Sequence, residues 1–191
     1  MKNPLLLPLL VLALALPLTA PAQDLEPFSA EHLVRMDRVS SVTVSPDGEH
    51  VAFVLRTTDM EADRGRTDLW VMDFDGSGQR PLTSHSASDH SPVWSPDGGS
   101  LYFLSSRSGS SQIWNIAIDG GEARQVSDLP LSVGHLKVSP TGTHLGFSLE
   151  VFVDCEDLDC TATRLEEREN DPRSGMVYDQ LFVRHWDTWK D

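Results

Sequence analysis

Cysteine is scarce in this chain: Cys155 and Cys160 are the only two among 191 residues. A soft metal centre would need two further ligands close by, and none stands near them. Positive charge is equally thin. Fifteen Lys and Arg face 29 Asp and Glu, for a formal net charge of −14, and the basic residues are scattered without a run. So acidic a surface repels nucleic acid and anionic lipid, which are both polyanions. The one long apolar stretch, Leu5 to Leu18, is interrupted by Pro8 and Pro17 and is too short for a comfortable membrane span. Lys2 precedes it and Ala20-Pro21-Ala22 follows, the pattern of a secretory signal peptide cleaved after Ala22. The mature chain would then begin at Gln23, carry no lipid or membrane anchor, and have a charge of −15 once Lys2 is lost.

A short pattern recurs in what remains: Val44-Ser45-Pro46-Asp47-Gly48, Trp94-Ser95-Pro96-Asp97-Gly98 and Val138-Ser139-Pro140-Thr141-Gly142. Apolar, alternating residues flank each copy. Pro presets φ, Asp bonds its own backbone and Gly takes the positive-φ position, so each copy reads as strand, tight turn, strand. The copies lie 50 and then 44 residues apart, near the four-strand period of a propeller blade. Asp68-Leu69-Trp70 through Asp75-Gly76 aligns with Gln112-Ile113-Trp114 through Asp119-Gly120, which adds a third strand and a second hairpin. Strands are expected at 39–45, 50–57, 67–75 and 79–83, then at 91–95, 101–107, 111–119 and 122–127. Phe53, Trp70, Trp94, Phe103 and Trp114 fall on these strands; as blade core they pack neighbouring faces, and as a platform they would bind carbohydrate or peptide. Turn chemistry accounts for Asp47 and Asp97 without a catalytic role.

The fold expected is all-β, a partial β-propeller of about two and a half four-stranded blades. It divides into a signal peptide (1–22), a linker and short helix (23–38), blade 1 (39–84), blade 2 (85–129) and an incomplete blade 3 (130–191). In the linker, Ser29 caps a helix from Ala30 to Met36, with Phe28 and Leu33 spaced for a hydrophobic staple. His32 on that helix reads as a surface residue.

The third period departs from the first two. A strand is expected over Leu145–Val153, then an acidic loop holding both cysteines, then a helix from Thr161 to Glu169. In an exported protein a local Cys155–Cys160 disulfide is the first expectation. Asp154, Glu156, Asp157 and Asp159 suggest calcium, but their spacing lacks the Gly and distal Glu of the known loop. Residues 154–189 read as an insertion. Because propellers close with about 4–8 blades, the chain reads as the front part of a longer protein or as one unit of an assembly.

The Ser-Pro-Asp-Gly hairpins, Leu69-Trp70-Val71-Met72-Asp73 and Phe182-Val183-Arg184-His185-Trp186-Asp187-Thr188-Trp189 resemble the prolyl oligopeptidase family. The likeness is to its exported acylaminoacyl-peptidase and dipeptidyl-aminopeptidase members. TolB-like propellers share the hairpins but are not expected to have the segment from Asp154 to Trp189. The resemblance implies a propeller filtering access to a C-terminal α/β-hydrolase domain with a Ser-Asp-His triad and a Gly-x-Ser-x-Gly elbow. This sequence contains no Gly-x-Ser-x-Gly, so no catalytic residue, cofactor or metal ligand carries over. The expected partners are that missing domain and, in the parent enzyme, a peptide substrate. Glu166, Glu167, Arg184, His185 and Trp186 lie in the insertion and would contact the substrate's amino end. Alternatively the charged residues are a solvated helix face and the aromatics packing. The competing function is a TolB-like periplasmic module that binds a protein partner.

Overall fold

The computed structural model describes residues 27–173, together with the backbone of 183–185 and 188–190. The chain forms two compact units, residues 1–34 and 35–191. In the first, helix α1 (Ala30–Arg35) is opened by Ser29, whose Oγ accepts the His32 amide at 3.3 Å while its carbonyl accepts Leu33 at 3.2 Å. The Phe28 ring lies beside the His32 ring, 6.0 Å between centroids, and the His32 Nδ1 meets Ser29 Oγ at 3.0 Å.

The second unit begins with a four-stranded antiparallel sheet of β1 (Arg38–Val44), β2 (His50–Asp59), β3 (Arg64–Asp73) and β4 (Arg80–Pro81) in sequential order. A second sheet repeats it with β5 (Asp89–Trp94), β6 (Ser100–Ser105), β7 (Gln112–Ala117) and β8 (Arg124–Gln125). Register repeats as well: Phe53 pairs with Trp70 across β2–β3, and Phe103 with Trp114 across β6–β7. The outer strands β4 and β8 are two residues each, shorter than the five and six expected. Pro81 has no N–H for a longer ladder, and short edges resist pairing with foreign strands. A third pair, β9 (Gly134–Val138) and β10 (Leu145–Ser148), is followed by helix α2 (Leu158–Glu169) and a hairpin of β11 (Val183–His185) and β12 (Thr188–Lys190). Strand β10 stops at Ser148 rather than Val153, and α2 starts three residues before Thr161.

The repeated turn carries the same bonds in its first two copies and keeps one of them in the third. Ser45 Oγ donates to Asp47 Oδ1 at 2.5 Å and accepts the His50 amide at 2.9 Å, and Asp47 Oδ1 also takes the Glu49 amide at 3.0 Å. Ser95, Asp97, Gly99 and Ser100 repeat those contacts at 2.5, 3.1 and 3.0 Å. In the third copy Ser139 Oγ accepts the His144 amide at 3.0 Å, with Thr141 where the Asp stood. Gly48, Gly98 and Gly142 hold φ of 77°, 72° and 70°, as the turn demands. The Ser hydroxyl, then the backbone amide, hold the Asp47 and Asp97 carboxyls below the usual carboxylate range. A second repeated feature was invisible in the residue pattern. Ser41, Ser91 and His135 occupy one repeat position and all adopt positive φ, 50°, 55° and 50°. In β1 and β5 the register slips at this point, a β-bulge in the first strand of the blade.

The sheets stack through their apolar faces. Ala52, Val54, Leu69, Val71 and Leu82 of the first sheet pack against Trp94, Leu101, Phe103 and Ile116 of the second. Leu104 and Ile113, on the far side of the second sheet, pack with Val133 and Leu136 of the third segment. Trp94 Nε1 donates to the Thr43 carbonyl at 3.3 Å, and Arg80 Nη2 to the Ile118 carbonyl at 2.5 Å, so polar bonds cross the same seam. Phe53 is buried and stacks on half-buried Trp70, while Trp114 packs beside the shared cluster under the Arg107 guanidinium. All five strand aromatics therefore serve packing.

One polar group sits beside this seam. Asp89 is fully buried and receives Arg107 Nη2 at 2.5 Å, while Thr83 Oγ1 lies 3.3 Å from Asp68 Oδ1. Burial, and then the Asp89 charge, push the Asp68 carboxyl above the ordinary range.

Two stability measurements check this account. Phe103→Ala should cost about 3–5 kcal/mol in denaturant unfolding, whereas Phe147→Ala, at a side chain 42% exposed, should cost about 1 kcal/mol or less. Asp68 favours its protonated form in the fold, so its ionisation weakens the fold as pH rises above the ordinary 3.8. Asp68→Asn should thus match the parent near pH 3 and exceed it in melting temperature at pH 7; a lower melting temperature at pH 7 would contradict the assignment.

Candidate functional site

A cleft lies between the β6–β7 loop at Ser110, the segment leading into the β9–β10 pair, and helix α2. Its volume is about 500 Å³. Pro130, Leu131 and Val133 approach from the segment before β9, Ser148 and Glu150 from the end of β10 and beyond, and Ala162, Leu165, Glu166 and Glu169 from α2. Leu131 and Val133 are buried and give the cleft an apolar floor. His135, on the positive-φ bulge position, turns its Nδ1 to Ser148 Oγ at 2.9 Å. Without the bulge an alternating strand would carry its side chains in the other phase beyond that point.

Helix α2 is placed by the loop before it. Asp157 accepts the Cys160 amide at 2.8 Å as the N-cap, and a Cys155–Cys160 disulfide, Cα atoms 5.6 Å apart, ties the loop to the first turn. Buried Thr161 accepts the Phe152 amide at 3.4 Å. Arg164 Nη1 bonds both Asp154 oxygens at 2.8 Å, which holds that carboxyl below its usual range. Arg164 and Arg168 both lie over the Phe152 ring, 4.3 and 4.7 Å from its centroid. Two acidic residues of the loop are thereby engaged in holding the helix, Asp157 by capping and Asp154 by ion pairing. At the other end the Asn170 amide returns to the Glu166 carbonyl and Pro172 stops the helix.

Glu166 lines the cleft; Glu167, its neighbour, is exposed and lies outside the lining. Arg184 and His185 stand on β11, where the backbone alone is described, and Trp186 lies outside the described residues. Sequence reasoning missed Glu150 and Glu169 as companions of Glu166. The spacing of Glu166 and Glu169, three residues apart on a helix, was a legible hint that they share a face; nothing in the sequence pointed to Glu150. Elsewhere, Asp47, Glu49 and His50 bring donor atoms within 4.8 Å of one another on an exposed turn, where the Ser-Pro-Asp-Gly bonds already explain Asp47.

The disulfide closes a loop of only a few residues, for which the chain-entropy relation gives about 2 kcal/mol. Reduction, or Cys155→Ser with Cys160→Ser, should raise amide hydrogen exchange over 158–169 while β2, β3, β6 and β7 keep their protection. Equal loss of protection in those strands would show that the disulfide supports the whole unit.

A family model described as the TolB β-propeller domain matches residues 23–152. A dipeptidyl-peptidase 5 of Porphyromonas endodontalis is 28% identical over 199 residues, covering 99% of this chain and 28% of that protein. Among solved structures, the apo AtxE2 isopeptidase superposes with a TM-score of 0.59 at 21% identity, over 80% of this chain and 27% of that one. A Pyrococcus horikoshii acylaminoacyl peptidase gives 0.53 at 18% identity, over 65% and 19%. At such identities these two structures share the fold. The chain spans 18–28% of the length of the first relatives it matches. These likenesses agree with the propeller part of a prolyl oligopeptidase family peptidase. That model spans more than half of the chain, two successive four-stranded antiparallel sheets among it, and the chain belongs to the TolB β-propeller domain family.

Proposed function

We propose that this chain is the substrate-gating propeller portion of an exported serine peptidase and is not catalytic by itself. One observation carries the reading. The TolB family match ends at residue 152, whereas the likeness to the dipeptidyl-peptidase 5 spans 99% of the chain and so takes in the insertion with its disulfide and α2. That insertion supplies one wall of the cleft. The chemistry of peptide cleavage falls to a C-terminal α/β-hydrolase domain carrying the Gly-x-Ser-x-Gly elbow that these 191 residues lack. In this reading Glu166, with Glu167, Arg184, His185 and Trp186, faces the amino end of the peptide.

The division into a signal peptide at 1–22, a linker to 38, blades at 39–84 and 85–129 and a third from 130 onward belongs to the same proposal. So does a periplasmic or secreted location, which the Lys2, Leu5–Leu18 and Ala20-Pro21-Ala22 pattern supports. No helix of the described residues is long and apolar enough to cross a membrane. A second reading, a TolB-like module that binds a protein partner in the periplasm, is favoured by the family match over 23–152.

Sequencing the gene past codon 191 separates the two. Further Ser-Pro-Asp-Gly repeats followed by Gly-x-Ser-x-Gly and a later Asp and His are expected, and the joined product should hydrolyse peptides while a Ser-to-Ala elbow variant does not. More propeller and no elbow would overturn the peptidase reading in favour of the binding module.

A further inference from the structure

Charge is sorted on helix α2. Its arginines, Arg164 and Arg168, are drawn to one side, over the Phe152 ring, with Arg164 also paired to Asp154. Its acids Glu166 and Glu169 line the cleft on another side, where Glu150 joins them from beyond β10. Among the described residues, none of these three carboxylates has an ion-pair partner, and no Lys or Arg lines the cleft. The one imidazole there among the described residues, His135, has its Nδ1 engaged by Ser148. The result is an anionic rim above an apolar floor of Leu131, Val133 and Leu165.

The geometry narrows what such a rim can take. The one described group whose donor atoms converge within 4.8 Å is Asp47, Glu49 and His50, on another turn. The cleft carboxylates therefore surround a volume rather than a point, which suits an extended organic cation better than a bare metal ion. About 500 Å³ is within the usual range of ligand pockets, large enough for a long side chain and its neighbours. Lysine and arginine have the matching build, an apolar stem that lies along apolar surface and a charged head that seeks carboxylates.

Resting on the peptidase reading above, we infer that this cleft receives a lysine or arginine side chain of the bound peptide, with Glu150, Glu166 and Glu169 holding its charge. The site reads a side chain, and Glu166 borders both it and the peptide's amino end. It makes the propeller a selector for basic sequences as well as a barrier.

The test uses the full chain and three amidated tripeptides, read by calorimetry and by amide chemical shifts. The first is acetyl-Leu-Lys-Leu, the second acetyl-Leu-norleucine-Leu, and the third is Leu-norleucine-Leu with a free amine. The blocked lysine peptide is expected to bind at least tenfold more tightly than its norleucine counterpart and to shift amides of 131–135 and 162–169. Glu166→Gln and Glu169→Gln should each weaken it roughly three- to tenfold, with rising salt doing the same. Gln keeps helix propensity, and Glu61→Gln on the β2–β3 turn should change nothing. Equal binding of lysine and norleucine peptides, or no binding of either, overturns the inference even if a charge variant fails to fold. Binding that demands the free amine and ignores lysine also overturns it, while supporting the amino-end contact of the peptidase reading. That reading itself is decided independently by the sequence beyond codon 191.

Discussion

The two four-stranded sheets are each apolar on both faces, and that constraint organises the molecule. The first buries Ala52, Val54, Leu69 and Val71 against Trp94, Leu101 and Phe103 of the second, which turns Leu104 and Ile113 toward the third segment. Adjacent strand residues such as Phe103 and Leu104 thus serve different neighbours, because side chains alternate across a strand. A sheet of this kind cannot stand alone: it needs an apolar neighbour on either side, and stacking copies of itself is the economical solution. Val39, Val42 and Val44 on β1 remain exposed, at the end of the stack where no further described sheet packs.

The turn motif has a different job from the apolar layers. Ser45, Ser95 and Ser139 each fix the entry to the next strand by accepting an amide five residues on. That fixes hairpin register, and with it which residues reach which face. The loss of Asp at Thr141 removes one acceptor and leaves the Ser139 contact, so the third hairpin still closes. Repetition then frees positions the fold does not need. In the third segment, where β9 and β10 stand as a pair, the chain leaves the sheet pattern after Ser148 and commits its residues to a capped, disulfide-tied helix.

Function follows from that departure. The segment from Pro130 to His135 supplies one wall, the insertion supplies a second with its acids on one side and its arginines on another, and the cleft between them is lined by acids. The anchoring groups Asp154, Asp157, Thr161 and Phe152 do not line the cleft, yet they set where Glu166 and Glu169 stand. Arg107 shows the same economy in the second sheet, neutralising buried Asp89 while covering the Trp114 ring.

Local chemistry determined the repeat, the strand order, the turn geometry and the Ser29 cap, since alternation, Pro-Asp-Gly dihedrals and capping act over a few residues and are written in consecutive letters. Those local rules also make the α2 helix legible from Thr161 on, whereas its first turn from Leu158 lies in the acidic stretch, where the Asp157 cap forms only once the backbone is placed. Tertiary structure alone decided three things. It put positive φ at Ser41, Ser91 and His135, residues without the glycine that marks such positions in a sequence. It selected Glu166 over Glu167 for the cleft, since neighbouring helix residues point about 100° apart. And it brought Glu150 and Glu169, nineteen residues apart in the chain, to line one cleft, a relation no local pattern encodes.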